Sequence, residues 1–299
     1  MSPEPDAPVV ASLAFDNHAF RGATLTVQSA IHSHLGKKAL HFHLFTKNLS
    51  PSQVTFLEGL SSNHPNVTIF RHSIDDSIFA DCKSLHGSFM TYARILLPDL
   101  IATSRLIYLD SDLLITDDLE SLWQSDLQGQ PLGAASLSTV RWSNDHKFLT
   151  PQGISIDAPY FNAGVLLIDS ARWQTERTGE KLISLAKIHG SNLPSVDQTL
   201  LNLSFHNLFT NLDPKWNQHL YANLPPTDIV PGILHFLGSP KPWDFWGMGL
   251  HMAVPLFQRT VHEKELLIPP LTLTEIINSP SKVLRSARSL FRLAQAHLR

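Results

Sequence analysis

Two aspartates separated by one residue are the sequence feature best suited to chemistry. Asp110, Ser111 and Asp112 directly follow residues 105–109, the most apolar of the strand-like runs that lead up to them. Two carboxylates at this spacing can bind one hard divalent cation and leave positions for diphosphate oxygens and water. The tripeptide alone is weak support, because Asp-x-Asp also forms ordinary turns and helix caps. The buried strand strengthens the interpretation, since carboxylates at a buried edge are costly without a compensating cation.

A second cluster of candidate residues lies at 235–243, which reads HFLGSPKPW. His235 can complete a manganese site through one ring nitrogen. Gly238 lets the backbone approach a phosphate closely, and Lys241 can neutralise the negative charge that develops on a leaving diphosphate. The alternative is a proline-rich surface turn, and most histidines in proteins are not metal ligands.

The elements that must position these residues alternate between strand and helix. Apolar runs predict strands at 9–15, 40–45, 67–70 and 105–109, and helix-period positions cover 21–34. Ser50 and Pro51 form a good cap and first-turn pair. This βαβα order predicts a parallel sheet, and ligands of such sheets bind beyond the carboxyl ends of the strands. Asp16 and Asp110 both follow a strand-like run, so both are expected at that edge.

The second half of the chain has a weaker pattern. A buried strand is predicted at 161–168, and Ser170 is expected to cap a helix that runs towards Gly190. A shorter helix is predicted from Val196 and a last strand at 233–236. Residues 205–231 are rich in Asn, Pro and aromatic residues, which predicts a loop-dominated segment.

Composition excludes several classes of function. The chain has 299 residues, 43% of them hydrophobic, so it can bury a large core. A formal net charge of −3 argues against nucleic acid as a partner. The single Cys82 excludes a disulfide framework and a CxxC zinc site. Residues 1–6 are acidic and proline-rich, unlike a signal peptide, and no apolar run reaches the ~18 residues of a membrane span, so a cytoplasmic protein is predicted.

The C-terminal residues have a different charge pattern. No acid follows Glu275, whereas five basic residues do. Apolar residues recur at helix spacing between 283 and 298, which predicts a basic amphipathic helix over 279–299. Such a helix binds an anionic membrane surface or packs on protein, because both need an apolar face.

Five segments of the chain resemble glycosyltransferase family 8, whose members include bacterial lipopolysaccharide galactosyl- and glucosyltransferases and glycogenin. They occur in the family's order and span about residues 9 to 245. The segments are TYAR at 91–94, YLDSD at 108–112, YFNAGV at 160–165, DQ at 197–198 and HFLGSPKPW at 235–243. Five matches in order are far more specific than any one of them.

The resemblance implies a GT-A fold, an α/β architecture with a Rossmann-like mixed, mainly parallel sheet flanked by helices. Residues 1–268 would form the glycosyltransferase domain, and 269–299 would be the basic amphipathic C-terminal segment. The implied activity is a retaining hexosyltransferase of lipopolysaccharide-type biosynthesis. It would move glucose or galactose from a UDP-sugar to a glycan or lipid-linked saccharide, at the inner face of the membrane.

The family's functional residues carry over position by position. The implied ligands of Mn²⁺ or Mg²⁺ are Asp110, Asp112 and His235. The implied substrate contacts are Asp16, Asn17, His86, Arg94, Asp110, Ser111, Asn162, Asp197, Gln198, Gly238 and Lys241. The implied catalytic residues are Gln198, Asp197 and Lys241.

Two departures from the family pattern bear on specificity and mechanism. Phe15 stands where many members have the first of two adjacent aspartates, which leaves the choice of nucleotide open. Residues 134–138 lack an acid that some members use near the sugar, which leaves donor and acceptor open. A double displacement needs a carboxylate beneath the anomeric carbon, where the family places Gln198. Gln198 is a poor nucleophile, so we expect substitution on the same face.

Three other readings compete with this one. A non-catalytic sugar-nucleotide or membrane-binding protein could keep the same fold, but retained Asp110, Asp112, His235 and Lys241 argue against it. A nucleotidyltransferase needs a glycine-rich, basic loop after the first strand, and a nicotinamide dehydrogenase needs a glycine fingerprint there. Residues 15–20 read FDNHAF and supply neither.

Overall fold

Strands and helices alternate along most of the chain, as the sequence predicts. The computed structural model describes residues 7–85, 87–271, 273 and 275–277. The strands are β1 Val9–Asp16, β2 Leu40–Lys47, β3 Val67–Ser73, β4 Arg105–Leu109, β5 Leu113–Ile115, β6 Leu132–Ala134, β7 Ser138–Thr139, β8 Pro159–Tyr160, β9 Val165–Asp169, β10 Phe209–Asn211, β11 Gln218–Tyr221 and β12 Ile233–Leu237. The α-helices are α1 Phe20–Ser33, α2 Pro51–Gly59, α3 Ala93–Leu100, α4 Leu119–Trp123, α5 His146–Leu149, α6 Ser170–Thr175, α7 Thr178–His189, α8 Val196–Phe205, α9 Gly247–Leu250 and α10 Val254–Glu263. Short 3₁₀ helices cover Ser77–Phe79, Met90–Tyr92, Val140–Trp142, Thr150–Gln152, Gly190–Asn192 and Pro214–Asn217.

The main sheet has seven strands in the order β10-β6-β9-β4-β1-β2-β3. Every neighbouring pair is parallel except the two that involve β9, which runs against both β4 and β6. The predicted mixed, mainly parallel sheet is therefore confirmed. The continuous apolar runs of β4 and β9 are buried, as expected for central strands covered on both faces.

A second sheet, β11-β12-β5, lies on the other side of α1. Helix α1 is buried along almost its whole length, because it contributes to the cores on both sides. Its hydroxyl groups satisfy the free edge of β5. The backbone N–H of Leu113 donates to Thr26 Oγ1 at 3.1 Å, and that of Ile115 donates to Ser29 Oγ at 2.9 Å. These bonds hold the turn between β4 and β5 in place.

The predicted cap of α2 is confirmed. Ser50 Oγ accepts from the backbone N–H of Gln53, and the Gln53 side chain accepts from the backbone N–H of Ser50. Pro51 occupies the first turn, where a missing N–H has no cost.

The helix predicted from Ser170 to Gly190 is wrong in two respects. The cap is Asp169 rather than Ser170, and its Oδ1 accepts from the backbone N–H of Arg172 at 2.9 Å. It also breaks into α6 and α7 at Arg177, whose φ of 52° is left-handed. The start of α7 packs so closely on α3 that a Cβ at Gly179 would lie 2.1 Å from an Asp99 carboxylate oxygen.

Two further predictions need correction, and two lie outside the described residues. The strand predicted at 161–168 begins only at Val165, and the loop predicted at 205–231 contains β10 and β11.

His86 and the predicted helix over 279–299 fall outside the described residues. The boundary between 268 and 269 stays a prediction, although Arg21 Nε donates to the carbonyl of Pro269 at 2.8 Å. Among the described residues, no helix is long and apolar enough to cross a membrane.

Candidate active site

A cavity of about 520 Å³ opens at the carboxyl edge of the main sheet. It is formed by the end of β1, the start of α1, the end of β4 and the loop after β12. The predicted residues that line it are Asp16, Arg94, Asp110, Ser111, Asp112 and Lys241. The edge that the sequence predicts for ligand binding therefore carries a cavity of the size of a small-molecule site.

Asp110, Asp112 and His235 converge at this edge although His235 is far away in sequence. One ligand atom from each lies within 4.8 Å of the others. His235 Nε2 is 3.1 Å from Asp112 Oδ1 and 4.0 Å from Asp110 Oδ2. The approach depends on Gly164, because a Cβ there would lie 2.3 Å from His235 Cε1 and 2.9 Å from Asp110 Oδ2.

This cluster fits a divalent cation. Asp112 Oδ1 is buried and accepts no hydrogen bond, although His235 Nε2 is near. A buried carboxylate oxygen without a donor is costly, and a cation would compensate it. Two carboxylates and one imidazole nitrogen suit Mn²⁺, and Mg²⁺ also takes the oxygen ligands.

Lys241 compensates part of the negative charge. Its Nζ lies 2.6 Å from Asp112 Oδ2 and also donates to the carbonyl of Phe236. Burial alone would raise the pKa of Asp112, but the charge and the hydrogen bond of Lys241, with His235 also close by, outweigh burial and hold the pKa below its usual value. Asp112 is therefore ionised at neutral pH.

Arg94 is a buried cation that ties the aspartate pair to a second acid. Its Nη2 lies 2.8 Å from Asp110 Oδ1, and its Nε lies 2.8 Å from Asp197 Oδ2. The guanidinium also lies 4.5 Å from the ring centre of Tyr108, whose hydroxyl donates to Asp110 Oδ1 at 2.9 Å. Burial would lower the pKa of Arg94, but Asp110 and Asp197 outweigh it and raise the pKa.

Asp197 and Gln198 lie behind the cavity rather than in its wall. Asp197 is buried and accepts from the Thr91 hydroxyl, and burial raises its pKa to about 6 against the opposing charge of Arg94. Gln198 Oε1 accepts from the backbone N–H of Ala163 at 3.0 Å, and its Nε2 donates to the hydroxyl of Tyr160 at 2.8 Å.

Of the residues predicted to contact the nucleotide, Asp16 holds two loops beside the cavity in place. Asp16 Oδ1 accepts from the backbone N–H of His18 at 2.9 Å, and its Oδ2 accepts from Ser88 Oγ at 3.0 Å. Asn17 is exposed beside it. Gly238 has a φ of 77°, a backbone conformation that residues other than glycine rarely adopt.

The structure brings most of the predicted residues together, and their individual roles stay predictions. The predicted residues outside the cavity lining are Asn17, Asn162, Asp197, Gln198, His235 and Gly238. Sequence reasoning did not single out the residues that orient the site, namely Tyr108, Thr91 and Asn217. Thr91 lies in the TYAR segment and Tyr108 in the YLDSD segment, so the resemblance to the family could have pointed to them. Asn217 lies in residues 205–231, which have no clean periodicity.

Comparison with known proteins shows the family to which the chain belongs. Residues 10–247 match the sequence model of the family described as Glycosyl transferase family 8. Glycosyltransferase GlyE of Streptococcus pneumoniae is 31% identical over 179 residues, which cover 56% of this chain and 40% of GlyE. The lipopolysaccharide 1,3-galactosyltransferase of Salmonella typhimurium is 25% identical over 234 residues, which cover 71% of this chain and 66% of that enzyme. The chain thus spans less than half the length of GlyE.

A solved structure confirms the fold. The galactosyltransferase LgtC in complex with donor and acceptor sugar analogs has a TM-score of 0.68 and 21% identity, over 89% of this chain and 98% of LgtC. This likeness supports the GT-A architecture and nothing finer. With a family match over more than half of its length, the chain belongs to glycosyl transferase family 8.

Proposed function

We propose that this chain is a retaining hexosyltransferase. It moves glucose or galactose from a UDP-sugar to a glycan or lipid-linked saccharide. The proposal rests on one observation, the convergence of Asp110, Asp112 and His235 at the edge of a cavity. The cations Lys241 and Arg94 line the same cavity. The similarity to a lipopolysaccharide 1,3-galactosyltransferase supports a hexose donor.

Asp110, Asp112 and His235 would hold Mn²⁺ or Mg²⁺. Such an ion supplies positive charge to the diphosphate that leaves when the sugar is transferred. Lys241 supplies a second positive charge at the same wall, because its ammonium group lies beside Asp112 and faces the cavity. Asp16 lines the space for the nucleoside and the diphosphate, and Asn17 and Gly238 are each next in sequence to a lining residue.

The surroundings of Asp197 and Gln198 support substitution on the same face of the sugar. Asp197 is buried, is held by Arg94 and Thr91, and does not line the cavity, so it is poorly placed to attack an anomeric carbon. The carboxamide oxygen of Gln198 already accepts a hydrogen bond from the backbone N–H of Ala163. Both residues therefore suit electrostatic support of a cation-like sugar, with Asn162 and Arg94 contributing to the sugar pocket.

A donor screen tests the proposal. UDP-glucose, UDP-galactose and their N-acetyl forms are incubated with Mn²⁺, and release of UDP is followed without acceptor. We expect turnover of one hexose donor, which stops on chelation and returns with Mn²⁺. Asp110→Asn and Asp112→Asn should abolish it, whereas the exposed Asp157→Asn is a matched control that should not.

Two results would contradict the proposal. Full activity after chelation would exclude the metal role. Tight binding of a UDP-sugar by the wild-type protein, without release of UDP even when acceptors are supplied, would instead favour the non-catalytic sugar-nucleotide-binding alternative.

Attachment to the membrane is a separate proposal about the same enzyme. Residues 245–252 contain no Asp, Glu, Lys or Arg. Their large apolar side chains are 45–67% exposed, namely Phe245, Trp246, Met248, Leu250 and Met252. Exposed aromatic and aliphatic residues are typical of a surface that contacts lipid, and a sequence rich in basic residues, as in 279–299, is typical of binding to anionic lipid. We therefore propose that residues 279–299, as part of a C-terminal segment 269–299 appended to a domain at 1–268, attach the protein to the cytoplasmic face of a membrane.

Co-sedimentation with lipid vesicles tests this attachment. The full chain should bind phosphatidylglycerol vesicles in a salt-sensitive way and bind phosphatidylcholine vesicles weakly. A chain that ends at residue 278 should lose the salt-sensitive part, while Trp246→Ser should weaken binding to both lipids. Unchanged binding after truncation would refute the role of 279–299.

A further inference from the structure

A buried asparagine contacts the back of the candidate metal ligand His235. Asn217 ends the 3₁₀ helix Pro214–Asn217 and is fully buried, and its Oδ1 lies 2.9 Å from His235 Nδ1. His235 itself is only 2% exposed. The imidazole is thus held by its Nδ1 side, while its Nε2 side faces the two aspartates.

The direction of the Asn217 carboxamide follows from a chain of hydrogen bonds. The backbone N–H of Gly164 can only donate, so the Asn162 side-chain atom 2.9 Å away must be the oxygen, Oδ1. That same oxygen lies 3.0 Å from the Asn217 side chain, which must therefore present its amide nitrogen, Nδ2. The other end of the Asn217 carboxamide, its oxygen, is left facing His235.

The orientation of Asn217 determines where His235 carries its proton. An oxygen at 2.9 Å from Nδ1 requires a hydrogen on that nitrogen. In a neutral imidazole the lone pair then lies on Nε2. Nε2 faces Asp112 Oδ1, the buried oxygen that accepts no hydrogen bond.

Packing restrains the plane of the ring as well. His219 packs edge-on against His235, with ring centres 5.9 Å apart and an angle of 83° between the planes. Gly164 also packs against the ring, because a Cβ there would lie 2.3 Å from His235 Cε1. The ring therefore has a fixed plane and a fixed hydrogen-bond partner before any ligand is bound.

We propose that Asn217 is a positioning residue that holds His235 as its Nδ1–H tautomer, so that Nε2 is ready to bind the divalent cation. The proposal rests on the metal site of the proposed function. Partners of metal-binding histidines that fix the tautomer in this way contribute strongly to affinity, and their loss typically weakens metal binding about 10–100-fold.

Calorimetric titration of Mn²⁺ into the metal-free protein tests the role of Asn217. Asn217→Leu keeps the volume and removes the acceptor, so its Mn²⁺ affinity should fall about 10–100-fold. Asn217→Asp keeps an oxygen towards Nδ1 but loses the donor to Asn162 Oδ1, so its Mn²⁺ affinity should lie between that of Asn217→Leu and that of wild type. Asn202→Leu is the matched control, because Asn202 is a buried amide bonded to Phe161 and Gln198 without touching His235.

Nitrogen-15 NMR of histidine-labelled, metal-free protein reads the tautomer directly. His235 should be the Nδ1–H form in wild type and a mixture in Asn217→Leu. An Nε2–H form in the wild type would overturn the proposal even if Asn217→Leu failed to fold. Wild-type Mn²⁺ affinity in a folded Asn217→Leu would overturn it too. If the wild type bound no Mn²⁺ but showed the Nδ1–H form, the metal part of the proposed function would fail and Asn217 would keep only its orienting role.

Discussion

Gly164→Ala is expected to disable the metal site with a single added methyl group. The new Cβ would lie 2.3 Å from His235 Cε1. Carbon atoms pack comfortably at about 3.5 Å, so the ring would have to move by about 1.2 Å. The backbone cannot easily move instead, because the carbonyl of Gly164 accepts from the N–H of Asp110 at 2.8 Å and its N–H donates to Asn162.

A shift of this size is large for a metal site. Metal–ligand distances tolerate deviations of only about 0.2 Å, and a misplacement of about 1 Å in an active site can cost about 100-fold in rate. We expect Gly164→Ala to lose at least about tenfold in Mn²⁺ affinity and about 100-fold in kcat/KM for sugar transfer.

The assay combines Mn²⁺ calorimetry, UDP release and thermal unfolding. Gly59→Ala is the control, because a Cβ at Gly59 meets nothing within 4 Å. It should keep wild-type activity. A folded Gly164→Ala protein with wild-type Mn²⁺ affinity and turnover would refute the argument that His235 and the aspartates converge through this glycine.

Three other substitutions test the charges around the site. Arg94→Leu should lower the free energy of unfolding by about 3–5 kcal/mol in denaturant titrations, because it leaves Asp197 buried without its partner; a loss below about 1 kcal/mol would contradict the pairing. Lys241→Met should lower kcat about 100-fold or more, as loss of one charge-stabilising donor does, with a smaller change in Mn²⁺ affinity; unchanged kcat would exclude Lys241 from leaving-group stabilisation. Asp197→Asn should remove a pH dependence of unfolding. The folded pKa of Asp197 is about 6 and lies above its unfolded value, so the protonated carboxyl stabilises the folded state. This stabilisation is complete below pH ~4, near the unfolded pKa, and is lost as pH rises through 6. Thermal unfolding at several pH values should therefore show Asp197→Asn gaining stability relative to wild type between pH 4 and 7, and a constant difference would contradict this.

The parts of the fold that depend on local sequence could be predicted. β4 has its predicted bounds, and β1 ends one residue later than predicted. Both strands could be predicted because a buried strand has a continuous run of apolar residues in the sequence. The reversed direction of β9 could not be predicted, since strand direction depends on the path of the chain between β6 and β9. The break at Arg177 lies next to a contact with a remote part of the chain, because Gly179 in the first turn of α7 packs against Asp99.

The candidate site divides in the same way. The aspartate pair was predicted because a strand ends directly before it, and His235 because a glycine and a lysine follow it. Asn217 was not predicted, since its role depends on the pairing of β11 with β12 and on the orientation of Asn162. A residue that acts through another side chain leaves no pattern in its own segment.

The charges around the aspartate pair explain why this edge favours a cation. Asp110, Asp112 and Asp197 are compensated by two buried or half-buried cations, Arg94 and Lys241. Three carboxylates thus face two cations, and one carboxylate charge is not matched by Arg94 or Lys241. Arg94 lies beside Asp110 Oδ1 and Asp197 Oδ2, and Lys241 lies beside Asp112 Oδ2. The unmatched charge therefore falls on the remaining oxygens of the aspartate pair. Those oxygens, Asp110 Oδ2 and Asp112 Oδ1, are the ones that face His235 Nε2.

The turn that carries the pair is fixed before any ion binds. The N–H of Asp110 donates to Gly164, and the carbonyl of Asp112 accepts from the N–H of Phe236 at 3.1 Å. The hydroxyl of Thr26 then holds the next residue of the chain, Leu113. Because these hydrogen bonds restrain the backbone, the two carboxylates stay close together, and a cation bound there would relieve their repulsion without a large rearrangement.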